Sequence, residues 1–157
     1  MKINIRLAQQ IDIDVMFEII SYYANDGIML PRSKNILLHQ LNDFAVVEVN
    51  GEVIGCGSLC QLGDDLVEVR SFGVLPIYKG QGLGKKLLQF LVHEASLRKI
   101  PNVMALTYEV EFFTRNGFEV VDKEIFPEKV WKDCIHCKKL DCCDEIAVLK
   151  KLDSLDN

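Results

Sequence analysis

The sequence predicts an α/β protein in which a mixed central sheet of about six to seven strands is flanked by about four helices. Three observations support this prediction. Apolar and polar residues alternate at the N-terminus, Asn50–Gly51 joins two apolar runs, and an amphipathic helix begins after a glycine-rich turn. Because a chain of 157 residues can build one hydrophobic core but hardly two, we expect a single domain over residues 1–157.

The first third of the chain predicts one strand and two helices. Residues 2–7 alternate Lys-Ile-Asn-Ile-Arg-Leu, which is typical of a half-buried strand. Asp12 or Asp14 is expected to cap the first helix, because a side-chain oxygen there accepts hydrogen bonds from first-turn amides. The apolar positions of this helix are Val15, Ile19 and Tyr22 or Tyr23. Ser33 is expected to cap a second, short helix that ends near Leu41.

In the middle of the chain, the sequence predicts three consecutive antiparallel strands. Residues 44–49 and 53–60 are apolar runs, and the Asn-Gly pair between them is a strong hairpin signal. A turn at residues 63–65 leads to the third strand, residues 66–74. The helix that follows, from about residue 82 to residue 98, has one apolar face for packing on a sheet. That face comprises Leu83, Leu87, Leu88, Leu91, Val92 and Ala95.

The last third predicts shorter elements. A strand over residues 103–107 is followed by a brief helix over residues 109–116. Gly117 ends this helix, since glycine readily adopts the left-handed conformation that a helix end requires. Two further strands are expected at residues 118–121 and 146–149.

Composition limits the classes of function. A formal net charge of -5 argues against nucleic acid as a partner, because phosphate binding needs a basic field. No apolar run approaches the roughly 20 residues of a membrane span, and no secretory signal precedes the first strand. We therefore expect a cytoplasmic protein with no membrane partner, and an open sheet edge through which a homodimer can form.

Glycines alternate at positions 80, 82 and 84, between the third of the three antiparallel strands and the long helix. They remove side chains that would keep an anion away, and the first-turn amides of the helix have no intrahelical acceptors. The turn lacks the Gly-Lys-Ser/Thr end of a P-loop and the glycine offset of a dinucleotide-binding fingerprint. A diphosphate site is therefore predicted, and a simple tight strand-to-helix connection is the alternative.

Lys79, Gly82 and Gly84 resemble motif A of the GNAT acetyltransferases, whose consensus is Arg/Gln-x-x-Gly-x-Gly/Ala. Lys79 departs from the usual arginine or glutamine but keeps a hydrogen-bond donor. The resemblance implies the GNAT fold and acetyl-CoA as cosubstrate, with its pyrophosphate on the loop and no obligatory metal. The implied cofactor-binding residues are Phe72, Gly73, Val74, Lys79, Gly80, Gln81, Gly82, Leu83, Gly84, Lys85 and Asn116.

Charged residues interrupt the strand that precedes this loop. A period of two places Glu68, Arg70, Phe72 and Val74 on one face. Charges in a central strand are costly unless they are paired or face a cleft, so Glu68 and Arg70 either pair or face the acceptor. The GNAT resemblance implies that Glu68 draws a proton from the amine through water, and that a strand amide near Val74 polarises the acetyl carbonyl.

The usual leaving-group acid of the family is a tyrosine in motif B, in a pattern like Phe-Tyr-x-x-x-Gly-Phe. Phe113 occupies that tyrosine's place here, within residues 112–118. Tyr108, at the end of the preceding strand, is a candidate substitute, with simple packing as the alternative. A CoA thiolate also leaves well enough to need no acid.

A narrower resemblance covers roughly residues 3–149. Five segments resemble the acetyltransferase domain of the N-acetylglutamate synthases, namely residues 27–33, 44–48, 54–56, 68–71 and 126–134. This resemblance implies acetylation of the α-amine of L-glutamate, the first step of arginine biosynthesis. Arginine grips carboxylates in bidentate fashion, so Arg32 and Arg70 are candidates for glutamate binding and Lys34 is a weaker one. The alternatives are another small amine, a protein N-terminus, or a regulatory domain that binds acetyl-CoA without turnover.

Four of the six cysteines lie close together near the C-terminus: Cys134, Cys137, Cys142 and Cys143. The Cys-x-x-Cys spacing of the first two suits zinc, but the second pair is adjacent and lacks the spacing of a zinc ribbon. Free thiols, a zinc site and a disulfide all remain open, in that order of preference. Cys56 and Cys60 are expected to be buried small hydrophobes.

Overall fold

The computed structural model describes residues 1–126 and 145–152. Within these residues, seven strands form a mixed sheet in the order β1-β2-β3-β4-β5-β7-β6, and four α-helices accompany them. The strands are β1 (Ile3–Leu7), β2 (Phe44–Val49), β3 (Glu52–Gly63), β4 (Leu66–Val74), β5 (Asn102–Thr107), β6 (Glu119–Val121) and β7 (Ile146–Lys151). The helices are α1 (Ile13–Asn25), α2 (Lys34–His39), α3 (Leu83–Leu97) and α4 (Val110–Arg115). The predicted α/β fold with a mixed sheet is confirmed.

The chain divides into two compact units. The first comprises Met1–Cys60 and Val69–Glu94, and the second comprises Gln61–Glu68 and the described residues from Ala95 onward. The boundaries fall inside β3, β4 and α3, which continue from one unit to the other along the chain. That residues 1–157 form a single domain stays a prediction.

In the first unit, β1 pairs antiparallel with β2, and β2 pairs antiparallel with β3. Asn50 and Gly51, at the hairpin turn, have φ values of 52° and 86°, which is the conformation that an Asn-Gly turn favours. The β2–β3 hairpin is therefore confirmed at the predicted residues.

Helix α1 buries Met16, Ile19, Ile20 and Tyr23 in the core of this unit. Tyr22 remains 48% exposed, so Tyr23 is the tyrosine on the buried face. Ser33 caps α2 as predicted, because its hydroxyl accepts a hydrogen bond from the Ile36 amide at 3.1 Å.

Asp12 does not act as the predicted cap. It precedes α1, but its carboxylate makes no cap bond to that helix; it accepts a hydrogen bond from the Gln9 amide and is buried against Arg6. The Arg6 Nη1 and Nη2 atoms donate to the two Asp12 oxygens at 2.7 and 3.0 Å, and Arg6 Nε donates to Glu48. An ion-pair network thus joins β1, β2 and the start of α1, which is a use of Asp12 that local spacing does not predict.

Strand β4 departs from regular alternation at Ser71, whose φ is 50°. A non-glycine residue with positive φ interrupts the pleat, so the period of two cannot be extended from Glu68 to Val74. That Glu68 and Arg70 share one face with Phe72 and Val74 therefore stays a prediction. The contacts described below place the Phe72 side chain beside Gly57 and the Val74 side chain beside Gly55, both in strand β3.

In the second unit, β5 pairs antiparallel with β7, and β7 pairs antiparallel with β6. The parallel pairing of β4 with β5 covers Leu66–Glu68 and Asn102–Met104. Gly117 follows α4 with a φ of 89°, and the Phe118 amide donates to the Phe113 carbonyl at 3.1 Å, which confirms the predicted helix end.

Helix α3 confirms the predicted amphipathic helix. Its buried side chains include Leu83, Leu87, Leu88, Leu91 and Ala95, while Val92 is half-buried. None of the helices in the described part of the chain is both long enough and apolar enough to span a membrane.

Candidate acetyl-CoA site

The glycine-rich loop connects β4 to α3 through a single turn at Pro76–Tyr78. Gly80 and Gly82 adopt φ values of 82° and 78°, which residues with a β-carbon rarely adopt. A β-carbon at either position would have no atom within 4 Å, so the space above both glycines is open. The backbone therefore favours glycine at both positions, and the open space fits an approaching anion.

The start of α3 supplies the donors of this loop. The Lys86 amide bonds the Gly82 carbonyl at 3.2 Å, so the amides that precede Lys86 lie in the first turn, where a helix offers no acceptors. Leu83 is buried and anchors the turn, whereas Lys79 and Lys85 are exposed. Gly80, Gln81 and Gly82 are exposed as well. The loop thus presents amides and cations together, which suits a diphosphate.

Two glycines of β3 make room for the end of β4. A β-carbon on Gly57 would lie 2.9 Å from Phe72 Cδ2 and 2.9 Å from Leu91 Cδ1. A β-carbon on Gly55 would lie 3.1 Å from both the Gly73 carbonyl oxygen and Val74 Cγ2. Both glycines are buried, and the sequence prediction overlooked them. Their occurrence in an otherwise apolar strand was a usable signal, because glycine inside a strand often marks a close backbone approach.

Tyr23 on α1 contacts both the end of β4 and the loop. Its hydroxyl donates to the Val74 carbonyl oxygen, and its ring would lie 2.9 Å from a β-carbon on Gly73. The Lys79 Nζ atom lies 5.3 Å from the centre of the same ring. Sequence reasoning placed Tyr23 only in the core, although a buried tyrosine hydroxyl must find a partner.

Both acceptor-binding candidates lie in the first unit and are half-buried. Arg70 is in β4, where its carbonyl accepts the Ser58 hydroxyl at 3.1 Å. Arg32 directly precedes the α2 cap, on a loop that reaches β4 through Met29, whose Cε would lie 3.2 Å from a β-carbon on Gly73. The weaker candidate, Lys34, is engaged elsewhere: its Nζ lies 3.1 Å from the Asp14 carboxylate and 5.3 Å from the centre of the Phe17 ring.

Three predicted site residues belong to the second unit. Glu68, in β4, is only 3% exposed. Tyr108, just after β5, is 40% exposed. Asn116 follows α4, where its side-chain amide donates to the Phe112 carbonyl at 2.7 Å and its backbone carbonyl accepts from Lys150 Nζ at 3.1 Å. Phe113, at the motif B tyrosine position, is buried in edge-to-face contact with Phe112 and Phe118, and it has no proton to donate.

The four C-terminal cysteines proposed for zinc lie outside the described residues. Within the described ranges, no cluster of histidine, cysteine and acidic side chains could hold a metal ion. Cys56 is buried as predicted, and burial raises the pKa of its thiol to about 12. Cys60 is half-buried.

Comparison with known proteins agrees with this geometry. A family profile described as "Acetyltransferase (GNAT) domain" matches residues 40–120. An N-acetyltransferase of Chlorobaculum tepidum, described as uncharacterized, is 36% identical over 148 residues, which is 94% of this chain and 96% of that protein. The amino-acid acetyltransferase of Mycobacterium tuberculosis is 32% identical over 132 residues, which is 79% of this chain and 75% of that protein.

A solved structure is also similar over nearly the whole chain. The N-acetylglutamate synthase of Neisseria gonorrhoeae, complexed with coenzyme A and N-acetyl-glutamate, matches 97% of this chain with a TM-score of 0.86 and 25% sequence identity. The matched region is 35% of the synthase chain, so the present sequence spans about a third of that protein. Sequence, loop geometry and these relatives together show that the chain belongs to the GNAT acetyltransferase family, whose members transfer the acetyl group of acetyl-CoA.

Proposed function

We propose that this acetyltransferase acetylates the α-amine of L-glutamate, in the cytoplasm, as the first step of arginine biosynthesis. The observation that carries the proposal is a half-buried arginine, Arg70, on β4, the strand that leads into the acetyl-CoA loop. Relatives named amino-acid acetyltransferase support it, as does the synthase with bound N-acetyl-glutamate.

Glutamate brings two carboxylates, and arginine is the side chain best suited to bind each of them. A guanidinium offers parallel N–H donors that match both oxygens of a carboxylate, and partial burial strengthens such a charge-assisted pair. Arg32 and Arg70 are assigned one carboxylate each. Met29, on the loop that carries Arg32, packs near Gly73 of β4, which brings that loop to the strand of Arg70.

Glu68 is assigned the proton transfer. The ammonium of the amino acid must lose a proton before its nitrogen can attack the thioester carbon, and the Glu68 carboxylate accepts that proton directly or through water. A backbone amide near Val74 stabilises the oxyanion that forms as the carbon becomes tetrahedral. The carbon–sulfur bond then breaks, the electron pair leaves with the CoA sulfur, and the nitrogen of the new amide releases its second proton to solvent.

No protein acid is required for that last step. Phe113 cannot supply a proton, and Tyr108 stays only a candidate because its exposed position does not distinguish catalysis from packing. A thiolate is a good leaving group near neutral pH, because a thiol has a pKa of about 8.5. The CoA thiolate is therefore expected to take its proton from solvent.

The acceptor can be identified with matched analogues. Purified protein is mixed with acetyl-CoA and L-glutamate, L-glutamine, glutamate α-amide, L-alanine or a short peptide, and free CoA thiol is followed. Each lost carboxylate is expected to lower kcat/KM by about tenfold or more, because a charge-assisted pair disappears. Turnover of the peptide, or of a bulky amine, with none of glutamate would overturn the proposal.

A second measurement tests the assigned arginine. Arg70→Ala is expected to raise KM for glutamate by about tenfold or more and to leave KM for acetyl-CoA within about twofold, while Arg70→Lys recovers only part of the loss. The control is Arg115→Ala, since Arg115 is exposed and pairs with Glu111 one helical turn away, on α4. An equal effect of Arg70→Ala on both substrates would remove Arg70 from the acceptor site.

A further inference from the structure

We propose that Tyr23 is a positioning residue for acetyl transfer. It fixes the end of β4, where the acetyl group of acetyl-CoA is expected to bind, and it contacts Lys79 of the diphosphate loop. The proposal rests on the proposed contact of Phe72–Val74 with acetyl-CoA, and it does not depend on which amine is acetylated. All of the contacts that support it lie within the first compact unit.

The Tyr23 ring sets the path of the backbone at Gly73. A β-carbon on Gly73 would lie 2.9 Å from Cε2 and 3.1 Å from Cδ2 of the ring, distances at which one of the two must move. The ring is therefore in direct contact with the main chain of β4. Between the Tyr23 ring of α1 and the backbone of Gly73 there is no room for a side chain at position 73.

The Tyr23 hydroxyl fixes one peptide group. It donates to the Val74 carbonyl oxygen, and the Leu75 amide of the same peptide group donates to the Ile54 carbonyl at 2.8 Å. The peptide plane after Val74 is thus held from both sides, by α1 and by β3. The Leu75 amide is used in its bond to Ile54, so the oxyanion donor proposed near Val74 must be a neighbouring amide. Such a donor acts only when it is fixed in place before the reaction, so restraint of the backbone at Val74 has catalytic value.

The same ring also contacts the diphosphate loop. Lys79 Nζ lies 5.3 Å from the ring centre, within the range of a cation–π contact, although Lys79 itself is exposed. One buried side chain therefore touches two consecutive parts of the acetyl-CoA site. A phenylalanine would fill the same core volume, so the hydroxyl must be explained by its bond to β4.

The test separates the hydroxyl from the ring. Tyr23→Phe removes the hydroxyl alone, Tyr23→Leu removes the ring as well, and Tyr22→Phe is the control on the exposed neighbour. Dissociation constants for acetyl-CoA and for CoA are measured by titration, together with the thermal midpoint. Tyr23→Phe is expected to raise the dissociation constant of acetyl-CoA by about fivefold and that of CoA by less than about twofold. CoA lacks the acetyl group, and only that group is expected to lie against the backbone that the hydroxyl fixes.

Tyr23→Leu is expected to weaken CoA as well, by about threefold or more, because Lys79 loses its contact. A Tyr23→Phe protein that binds both ligands as the parent does, or that loses both equally, overturns the proposal, since those results indicate a purely structural role. If Tyr23→Leu does not fold, Tyr23→Phe alone decides. Failure of the parent to acetylate glutamate would count against the proposed acceptor only, because these readouts use cofactor binding.

Discussion

At the level of single residues, the Asp12 carboxylate links folding stability to pH. Burial opposes its charge, but hydrogen bonds from Arg6 and from the Gln9 amide outweigh burial, so the pKa of Asp12 is lowered. A carboxyl whose pKa is lower in the folded state adds stability above its unfolded pKa of about 3.9, and that stability is lost as pH falls through the folded pKa.

Asp12→Asn is therefore expected to lower the free energy of unfolding at pH 7 by about 2 kcal/mol and to flatten its decline below about pH 4. Chemical denaturation at several pH values measures both effects. Asp14→Asn is the matched control, because the Asp14 side chain is 82% exposed and should lose less than about 0.5 kcal/mol. Parallel pH curves for Asp12→Asn and the parent would show that the pair with Arg6 does not stabilise the charged carboxylate.

Glu68 allows a second residue-level test, which separates catalysis from pairing. Glu68→Gln keeps the shape of the side chain but removes its basic oxygen, so kcat at neutral pH is expected to fall by roughly 100-fold. The loss should shrink as the pH approaches the pKa of the free amine, because the substrate is then already deprotonated.

The measurement is a pH–rate profile of the parent, of Glu68→Gln and of Glu119→Gln, whose exposed side chain on β6 serves as the control. A profile of Glu68→Gln that runs parallel to the parent's, with lower stability and weaker glutamate binding, would assign Glu68 to an ion pair. The amine would then be deprotonated by water alone.

At the level of elements, the loop between β4 and α3 contains glycines that serve both the backbone conformation and the proposed binding of the diphosphate. Gly82→Ala is expected to weaken acetyl-CoA binding by about tenfold or more, because a methyl group would stand where the diphosphate approaches the amides. An alanine at this positive φ also introduces a backbone strain of about 1–2 kcal/mol. A binding measurement alone would not distinguish that strain from direct obstruction of the diphosphate.

Gly51→Ala provides the matched control for that strain. Gly51 also has a positive φ, 86°, and open space around a β-carbon, but it lies in the β2–β3 hairpin turn. Both variants should lose similar stability by thermal denaturation, and only Gly82→Ala should lose affinity in a titration with acetyl-CoA. Equal affinities would mean that the loop is only a turn.

At the level of the whole molecule, the sequence predicted those features that depend on neighbouring residues. The Asn50–Gly51 turn, the Ser33 cap and the Gly117 helix end each follow from local backbone chemistry, and all three are confirmed. The order of strands and helices followed from hydrophobic periodicity, which reports burial of each element separately.

The features that the sequence did not predict are contacts between distant residues. Arg6 bonds Glu48 across 42 positions, and Tyr23 bonds Val74 across 51 positions, so no local pattern contains either pair. The positive φ of Ser71 is a local feature that was also missed, because a serine carries no signal for it. For the candidate site, the positive φ values of Gly80 and Gly82 agree with the glycine pattern of the sequence, and the glycines of β3 signal a close approach. The partners of Tyr23, Gly55 and Gly57 are visible only in the folded chain.

The burial of Cys56 has a consequence for the chemical reactivity of the folded chain. Its thiol donates to the Ser71 carbonyl at 3.5 Å, and with a pKa of about 12 almost none of it is thiolate at neutral pH. Because only the thiolate reacts with alkylating agents or oxidants, Cys56 is protected until the strands around it separate. The rate at which this one thiol is modified, measured by peptide mass, therefore reports how often β3 separates from β4.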